Sequence, residues 1–179
     1  MEKGNLIWID LEFTGLDFEN DTIVEVATCI TDLNLSFVAD GPSFVIHQSE
    51  EILKNLDPWC KEHFTASGLI EEIKKSSCGL KEAEEKTLSF LKKYTNGKES
   101  PMCGNSVGHD RRFLYRLMPS LEKHFHYRHI DVSTIKELML RWRPDLKENF
   151  SKKEAHRASL DIKESIEELR YYRATFFKI

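Results

Sequence analysis

The sequence has few cysteines, no excess of basic charge and no long apolar run. Its four cysteines, Cys29, Cys60, Cys78 and Cys103, include no pair at CxxC spacing. We therefore expect reduced, mostly buried thiols in a cytoplasmic protein rather than a disulfide or zinc framework. The formal net charge of −4 argues against a protein that tracks long nucleic acid through a general basic field. No run approaches the roughly 20 apolar residues of a membrane span, and the start does not resemble a removable leader.

The order of the predicted elements indicates an α/β fold in a single domain spanning residues 1–179. Five stretches have strand character: 5–12, 22–32, 36–47, 102–106 and 127–133. The first three follow each other through short connections, and the later two alternate with helices, which predicts a mixed sheet with three antiparallel strands and flanking helices. Helices are predicted within 49–64, 67–76, 79–94, 109–125, 133–142 and 157–177, with a break at Pro119, a cap at Ser133 or Thr134, and a polar loop over 143–156.

Two carboxylates lie at the end of the first strand. In "NLIWIDLEFTGLD", Asp10 and Glu12 follow a buried run and share one face, because strand side chains alternate. Two such charges at 4 Å repel by about 4 kcal/mol at an effective dielectric constant near 20. No lysine or arginine lies between Gly4 and Lys54, so a metal ion, a shared proton or a distant cation must offset that repulsion. The alternative is that Glu12 faces solvent where the strand ends.

Further acids follow two later junctions. Asp110 falls in the first turns of the helix after "CGNS", where an aspartate also serves as an ordinary helix-dipole partner. Asp161 lies near the start of the last helix, beside the apolar stripe of Ile162, Ile166 and Leu169, and His156 precedes it by five residues. Carboxyl ends of strands are where α/β sheets carry their sites. A surface position remains the ordinary alternative for His156.

These motifs together resemble those of the DEDD 3′→5′ exonucleases. Asp-x-Glu on the first strand, the central Asp and the terminal His-x-x-x-x-Asp occur in order along the whole chain, with the surrounding text "LIWIDLEFTGLD", "CGNSVGHDRRFL", "HYRHIDVSTIKEL" and "YYRATFFKI". The position four residues before the last aspartate is Arg157 rather than tyrosine, which is typical of the histidine branch. The resemblance implies an RNase H-like fold with a five-stranded mixed sheet, and hydrolysis of very short RNA, down to dinucleotides, to nucleoside 5′-monophosphates.

The resemblance also implies a two-metal site. Carboxylate ligands alone favour Mg²⁺ or Mn²⁺ over zinc, and two such ions roughly 3.5–4 Å apart clamp the attacking and leaving oxygens of an in-line displacement. By this resemblance, Asp10 bridges both ions, Glu12 and Asp161 complete the site of the attacking water, and Asp110 supports the second ion. His156 is then the general base, which suits an imidazole titrating near pH 6.5.

Substrate contacts are implied by the same resemblance. Leu16 and Trp59 would contact bases, and the 5′ phosphate would be held by Ser106, Arg128 and Ser133. Trp59 could equally fill the core, and Arg128 could equally form a surface ion pair. Tyr127 is expected to reach the site of a partner in a homodimer. The expected ligand is short single-stranded RNA of two to five nucleotides.

One position departs from the family pattern. The family often has a histidine five residues after the tryptophan, and here that position is Phe64, preceded by His63. Adjacent helical residues point about 100° apart, so His63 is no automatic substitute, which leaves the grip on a 5′ phosphate open.

Three other functions fit parts of the pattern. The first is a DEDD exonuclease that acts on longer single strands of DNA or RNA. The second is a phosphatase with an aspartate nucleophile, although that class requires aspartate where this chain has Glu12. The third is an inactive nucleotide-binding module, which the presence of every acid and the histidine disfavours.

Overall fold

A five-stranded mixed sheet forms the centre of the protein. The computed structural model describes residues 4–149 and 157–177. Its strands are β1 (Leu6–Phe13), β2 (Ile23–Thr31), β3 (Phe37–Val45), β4 (Met102–Gly104) and β5 (His129–Asp131). They are arranged in the order β3-β2-β1-β4-β5. The first three pair antiparallel, whereas β4 pairs parallel with both β1 and β5. The predicted α/β fold and sheet are confirmed.

The described helices occupy both faces of the sheet. They are α1 (Glu50–Lys54), α2 (Pro58–Ala66), α3 (Leu69–Lys75), α4 (Leu80–Leu91), α5 (Val107–Leu117), α6 (Pro119–Glu122), α7 (Val132–Trp142) and α8 (Ala158–Tyr172). A 3₁₀ helix spans Pro144–Asn149 and a π-helical segment spans Arg173–Phe177. None of these helices combines the length and apolar character that crossing a bilayer requires.

The structure differs from the predicted elements in four details. The helical stretch predicted within 49–64 is two helices, α1 and α2, because Asp57 caps a new helix that begins at Pro58. Part of the predicted polar loop 143–156 is the 3₁₀ helix Pro144–Asn149. The cap of α7 is Asp131, whose carboxylate accepts the Ser133 N–H at 3.0 Å, rather than Ser133 or Thr134. The final helix changes to π geometry at Arg173. The predicted break at Pro119 is confirmed, since α5 ends and α6 begins there.

The alternation of β1 divides the core between the two faces. Ile7, Ile9 and Leu11 belong to an apolar cluster with residues of α4, α5 and α6. Leu6 and Trp8 face the opposite side and belong to a cluster with residues of α7 and α8. By the period of two, Asp10 and Glu12 continue the second face, toward α8. A third cluster lies beneath α1, α2 and α3.

The carboxyl end of β4 approaches β1 closely at a glycine. A Cβ atom on Gly104 would lie 2.8 Å from the carbonyl oxygen of Ile9, a distance that real side chains do not tolerate. Glycine therefore lets the β4–α5 junction reach the residue that precedes Asp10. This contact brings the first turn of α5 to the end of β1.

Candidate active site

Three carboxylates meet on the α8 face of the sheet. Asp10 and Glu12 come from the end of β1, and Asp161 comes from the first turn of α8. Each offers an oxygen, and these oxygens lie within 4.8 Å of one another. All three side chains are partly buried. The structure therefore brings Asp161 next to two acids that lie about 150 residues earlier in the sequence.

Asp110 stands beside this group without being one of the three. It lies in the first turn of α5 and is only 5% exposed. Its Oδ1 accepts the backbone N–H of Leu11 at 3.1 Å. Leu11 is the residue between Asp10 and Glu12, so Asp110 lies against the backbone of the acidic strand end. The predicted fourth acid is thus located at the same end of β1.

Burial and mutual repulsion disfavour the charged forms of these acids. Burial raises the pKa of Asp10 well above its usual range, and the charges of Asp110, Glu12 and Asp161 raise it further. Burial, followed by the charge of Asp161, raises the pKa of Glu12 to about 8, against which Arg157 acts in the opposite direction. Burial likewise raises the pKa of Asp110 to about 7. These directions mean that the surroundings of Asp10, Glu12 and Asp110 favour the protonated over the charged carboxyl groups.

The chemistry of these donors fits divalent cations. The group offers oxygen ligands only, which suit Mg²⁺ or Mn²⁺ better than metals that prefer thiolate or imidazole. The raised pKa values of Glu12 and Asp110 show that their charged forms are disfavoured. A bound cation would stabilise those charged forms. The acidic cluster therefore has both the oxygen ligands and the concentration of acidic groups that a divalent-ion site requires.

The predicted base, His156, lies outside the described residues. The next residue, Arg157, is described, and its guanidinium pairs with Glu25 at 3.3 Å and with Glu72 at 2.8 Å. Glu25 is opposite Glu12 in the β1–β2 ladder. Arg157 therefore lies close enough to the acidic cluster for its charge to act on Glu12.

The two residues predicted to contact bases occupy hydrogen-bonded neighbouring segments. Leu16 is 69% exposed and Trp59 is 51% exposed. The Leu16 loop is organised by Asp21, whose oxygens accept the Thr14 hydroxyl at 2.6 Å and the Asp17 N–H at 2.7 Å. The Asp57 N–H, just before α2, donates to the Thr14 carbonyl at 3.0 Å. This bond joins the loop that carries Leu16 to the start of the helix that carries Trp59.

Phe64 is a residue of the apolar core. It is fully buried in the cluster beneath α1, α2 and α3. The preceding His63 stacks on Trp59, with ring centroids 3.9 Å apart and an interplanar angle of 25°. The departure from the family pattern therefore adds an apolar core residue at position 64, and the imidazole instead extends the aromatic surface of Trp59.

The two serines predicted to hold phosphate lie next to each other. The Ser106 hydroxyl donates to the Ser133 hydroxyl at 3.1 Å, which donates to the side-chain carbonyl of Asn105 at 2.9 Å. Asp131 accepts the backbone N–H groups of both serines at 3.0 Å. Ser106 has a φ of 53°, a left-handed conformation that turns β4 into α5. The pair therefore forms at the junction of β4, α5 and α7.

Arg128 and Tyr127 lie on the surface at the start of β5. The Arg128 guanidinium lies 5.2 Å from the centre of the Tyr127 ring, and Tyr127 is 69% exposed. Arg128 directly precedes the short strand β5, which ends at Asp131. Asp131 is the residue that accepts the N–H groups of both serines. Both side chains are therefore accessible, as contacts to a ligand or a partner require.

Two buried glutamates near the site, Glu25 and Glu168, were not predicted from the sequence. Glu25 is the one charged residue of the strand "IVEVATCIT", and that position inside an apolar run is a usable signal. Glu168 is fully buried on α8 and accepts hydrogen bonds from the Tyr172 hydroxyl at 2.7 Å and the Asn105 amide at 3.2 Å. Its signal is weaker, namely a position two helical turns after Asp161.

Comparison with known proteins assigns the family. The family model described as Exonuclease matches residues 7–169. An oligoribonuclease of Ruthia magnifica subsp. Calyptogena magnifica is 56% identical over 178 residues, covering 99% of each chain. The oligoribonuclease of Escherichia coli strain K12 is 53% identical over 177 residues, covering 99% of this chain and 98% of that one.

A solved structure agrees in fold. Exonuclease I from Methylocaldum szegediense superposes with a TM-score of 0.71 at 18% sequence identity, covering 98% of this chain. This chain spans only 41% of that longer protein. The matching family model and the similar relatives define an exonuclease, in agreement with the resemblance to the DEDD motifs. The chain belongs to the oligoribonuclease family.

The raised pKa of Glu12 predicts a gain in stability when its charge is removed. A carboxyl group whose pKa is higher in the folded than in the unfolded chain destabilises the fold as the pH rises through that interval. For Glu12 the interval runs from 4.5 to about 8. At pH 8 without divalent ions, we expect Glu12→Gln to raise the free energy of unfolding by about 2 kcal/mol, measured by urea denaturation.

The pH dependence and a surface variant provide the controls. At pH 4 the gain from Glu12→Gln should vanish, because the carboxyl group is then protonated in both states. Glu62→Gln, at an exposed position on α2, should change stability by less than about 0.5 kcal/mol at either pH. A Glu12→Gln protein that is less stable than wild type at pH 8 would show that the acidic cluster is not electrostatically strained.

Proposed function

We propose that the protein is a 3′→5′ exoribonuclease that releases nucleoside 5′-monophosphates from single-stranded RNA of two to five nucleotides. The observation that carries this proposal is the convergence of Asp10, Glu12 and Asp161 within 4.8 Å, with Asp110 bonded to the same strand end. Membership of the oligoribonuclease family supports the choice of substrate.

The proposed cofactors are two divalent cations, Mg²⁺ or Mn²⁺. Asp10, Glu12 and Asp161 would hold them, with Asp110 completing the set. When bound, such ions activate water and neutralise charge that develops on the phosphate. The raised pKa of Glu12, about 8 through burial and the neighbouring acids, supports this assignment, because a bound cation would stabilise the charged carboxylate.

The residues of the chain divide the remaining work between proton transfer and orientation. We assign the general base to His156, whose ordinary pKa near 6.5 suits proton acceptance at neutral pH. It precedes Arg157, whose guanidinium is held by Glu25 across from Glu12. Asp110, bonded to the Leu11 N–H, keeps the strand end in a fixed orientation.

Separate surfaces are proposed to hold the two ends of a short substrate. Leu16 and Trp59 are exposed apolar side chains on two linked segments, suited to base stacking worth about 1–3 kcal/mol per base. Ser106 and Ser133 would hold the 5′ phosphate, and Arg128 is suited to a charge-assisted contact with it. Phe64 is buried, so the proposed phosphate contacts rest on these three residues.

A homodimer in the cytoplasm is the proposed assembly and location. The exposed ring of Tyr127 is suited to reach across to the site of a second copy, and sedimentation of the pure protein measures whether it dimerises. Four free cysteines, three of them buried, support a reducing compartment.

The dependence of rate on substrate length tests the proposed substrate. We expect kcat/KM for 5′-labelled oligoribonucleotides to be highest for two to five nucleotides and to fall by at least about tenfold toward ten, because contacts to a 5′ phosphate would favour a chain short enough to reach the acidic cluster with its 3′ end. Initial rates with Mn²⁺ and a ladder from two to ten nucleotides provide the measurement. Constant efficiency from dinucleotides to long strands would instead identify an exonuclease for longer single strands, and no turnover would identify a binding module.

Removal of the proposed base should affect the chemical step alone. We expect His156→Ala to lower kcat by about 10²–10⁴ while KM and Mn²⁺ binding stay close to wild type. Single-turnover kinetics and Mn²⁺ binding provide the two measurements. His129→Ala is the matched control, since His129 is an exposed histidine at the start of β5 with no proposed role in proton transfer. Turnover of His156→Ala near the wild-type value would remove the assignment.

A further inference from the structure

Glu25 is a fully buried carboxylate outside the metal-binding group. Its exposed fraction is 0%, and it lies opposite Glu12 in the antiparallel β1–β2 pair. A carboxylate removed from water persists only where a cation and hydrogen-bond donors satisfy it. The groups that satisfy Glu25 therefore indicate what this charge contributes.

A single arginine satisfies most of that charge. Nε and Nη2 of Arg157 each lie 3.3 Å from an oxygen of Glu25. The hydroxyl of Ser43 donates to the same carboxylate at 3.3 Å. The guanidinium also reaches Glu72 on α3, with Nη1 and Nη2 each 2.8 Å from its oxygens. Arg157 therefore joins β2 to α3 through a guanidinium shared by two carboxylates.

Glu25 also caps the helix that carries Asp161. Arg157 directly precedes α8, and its side chain makes no capping hydrogen bond to the helix. The first N–H of the helix, from Ala158, donates instead to Glu25 at 3.3 Å. Helix N-termini require acceptors for their free N–H groups and favour negative charge. The start of α8 is thus anchored to strand β2 from outside the helix.

The anchored turn is the one that leads to the metal-binding group. The carbonyl oxygen of Arg157 accepts the N–H of Asp161 at 3.0 Å, so one helical turn separates the anchored residue from the proposed ligand. A shift at the start of α8 would therefore move the carboxylate of Asp161.

We propose that Glu25 and Arg157 are positioning residues that fix the start of α8 and thereby the position of Asp161 relative to Asp10 and Glu12. Their contacts with each other, with Ala158 and with Glu72 perform this role without contact to substrate. The kinetic part of the test rests on the proposed function, whereas the exchange of the Ala158 amide hydrogen does not.

The test combines kinetics with hydrogen exchange. For Glu25→Gln, we expect kcat on the dinucleotide ApA with Mn²⁺ to fall at least tenfold with KM changed less than threefold, and the Ala158 amide to exchange at least ten times faster by NMR. Arg157→Met should behave similarly. Arg157→Lys should recover part of the lost kcat, because lysine retains the charge but cannot fork between two carboxylates. Arg143→Gln is the matched control, since Arg143 forms an exposed pair with Asp145.

The outcomes separate this proposal from simple stabilisation. All assays run below the unfolding temperature of each variant. A folded Glu25→Gln protein with kcat within twofold of wild type overturns the proposal, as does a loss of kcat without faster exchange at Ala158. If Glu25→Gln does not fold, Arg157→Lys decides: wild-type kcat with unchanged exchange overturns the proposal. Wild-type protein without activity on ApA contradicts the proposed function instead, and the exchange rates still test the anchor.

Discussion

Mutual repulsion among buried carboxylates at the end of β1 is the constraint on which the site depends. At 4 Å, one pair of charges costs about 4 kcal/mol at an effective dielectric constant near 20, a large share of the stability of a domain this size. Burial raises the pKa values of Asp10, Glu12 and Asp110, and the charges of neighbouring acids of the cluster raise those of Asp10 and Glu12 further. The fold holds these groups together although they repel.

The rest of the architecture resists that repulsion. Asp10 and Glu12 lie in the part of β1 that pairs with Ala27 and Glu25 of β2, so they cannot separate without breaking this pairing. Gly104 allows the α5 junction to approach this strand, and Asp110 then bonds to its backbone. Asp161 arrives on a helix that packs over the same face. The apolar core thus supports a group of acids whose mutual repulsion lowers stability and which we propose to bind cations.

Much of this arrangement could be predicted from the sequence because it depends on local periodicity. Alternation along β1 fixed the shared face of Asp10 and Glu12, and the three acidic motifs in order identified the family. The anchor at Glu25 could not be predicted, because its partner Arg157 is 132 residues away and no local pattern pairs them. The cap of α7 was assigned to Ser133 or Thr134 rather than Asp131, since adjacent polar residues compete for such a role.

Anomalous diffraction from crystals grown with Mn²⁺ tests the central claim most directly. The account predicts two manganese peaks roughly 3.5–4 Å apart, in contact with the carboxylates of Asp10, Glu12 and Asp161, with Asp110 reaching one of them. In Asp10→Ala crystals both peaks should be lost or strongly reduced. Wild-type protein that hydrolyses dinucleotides while millimolar Mn²⁺ gives no peak at these carboxylates would contradict the account.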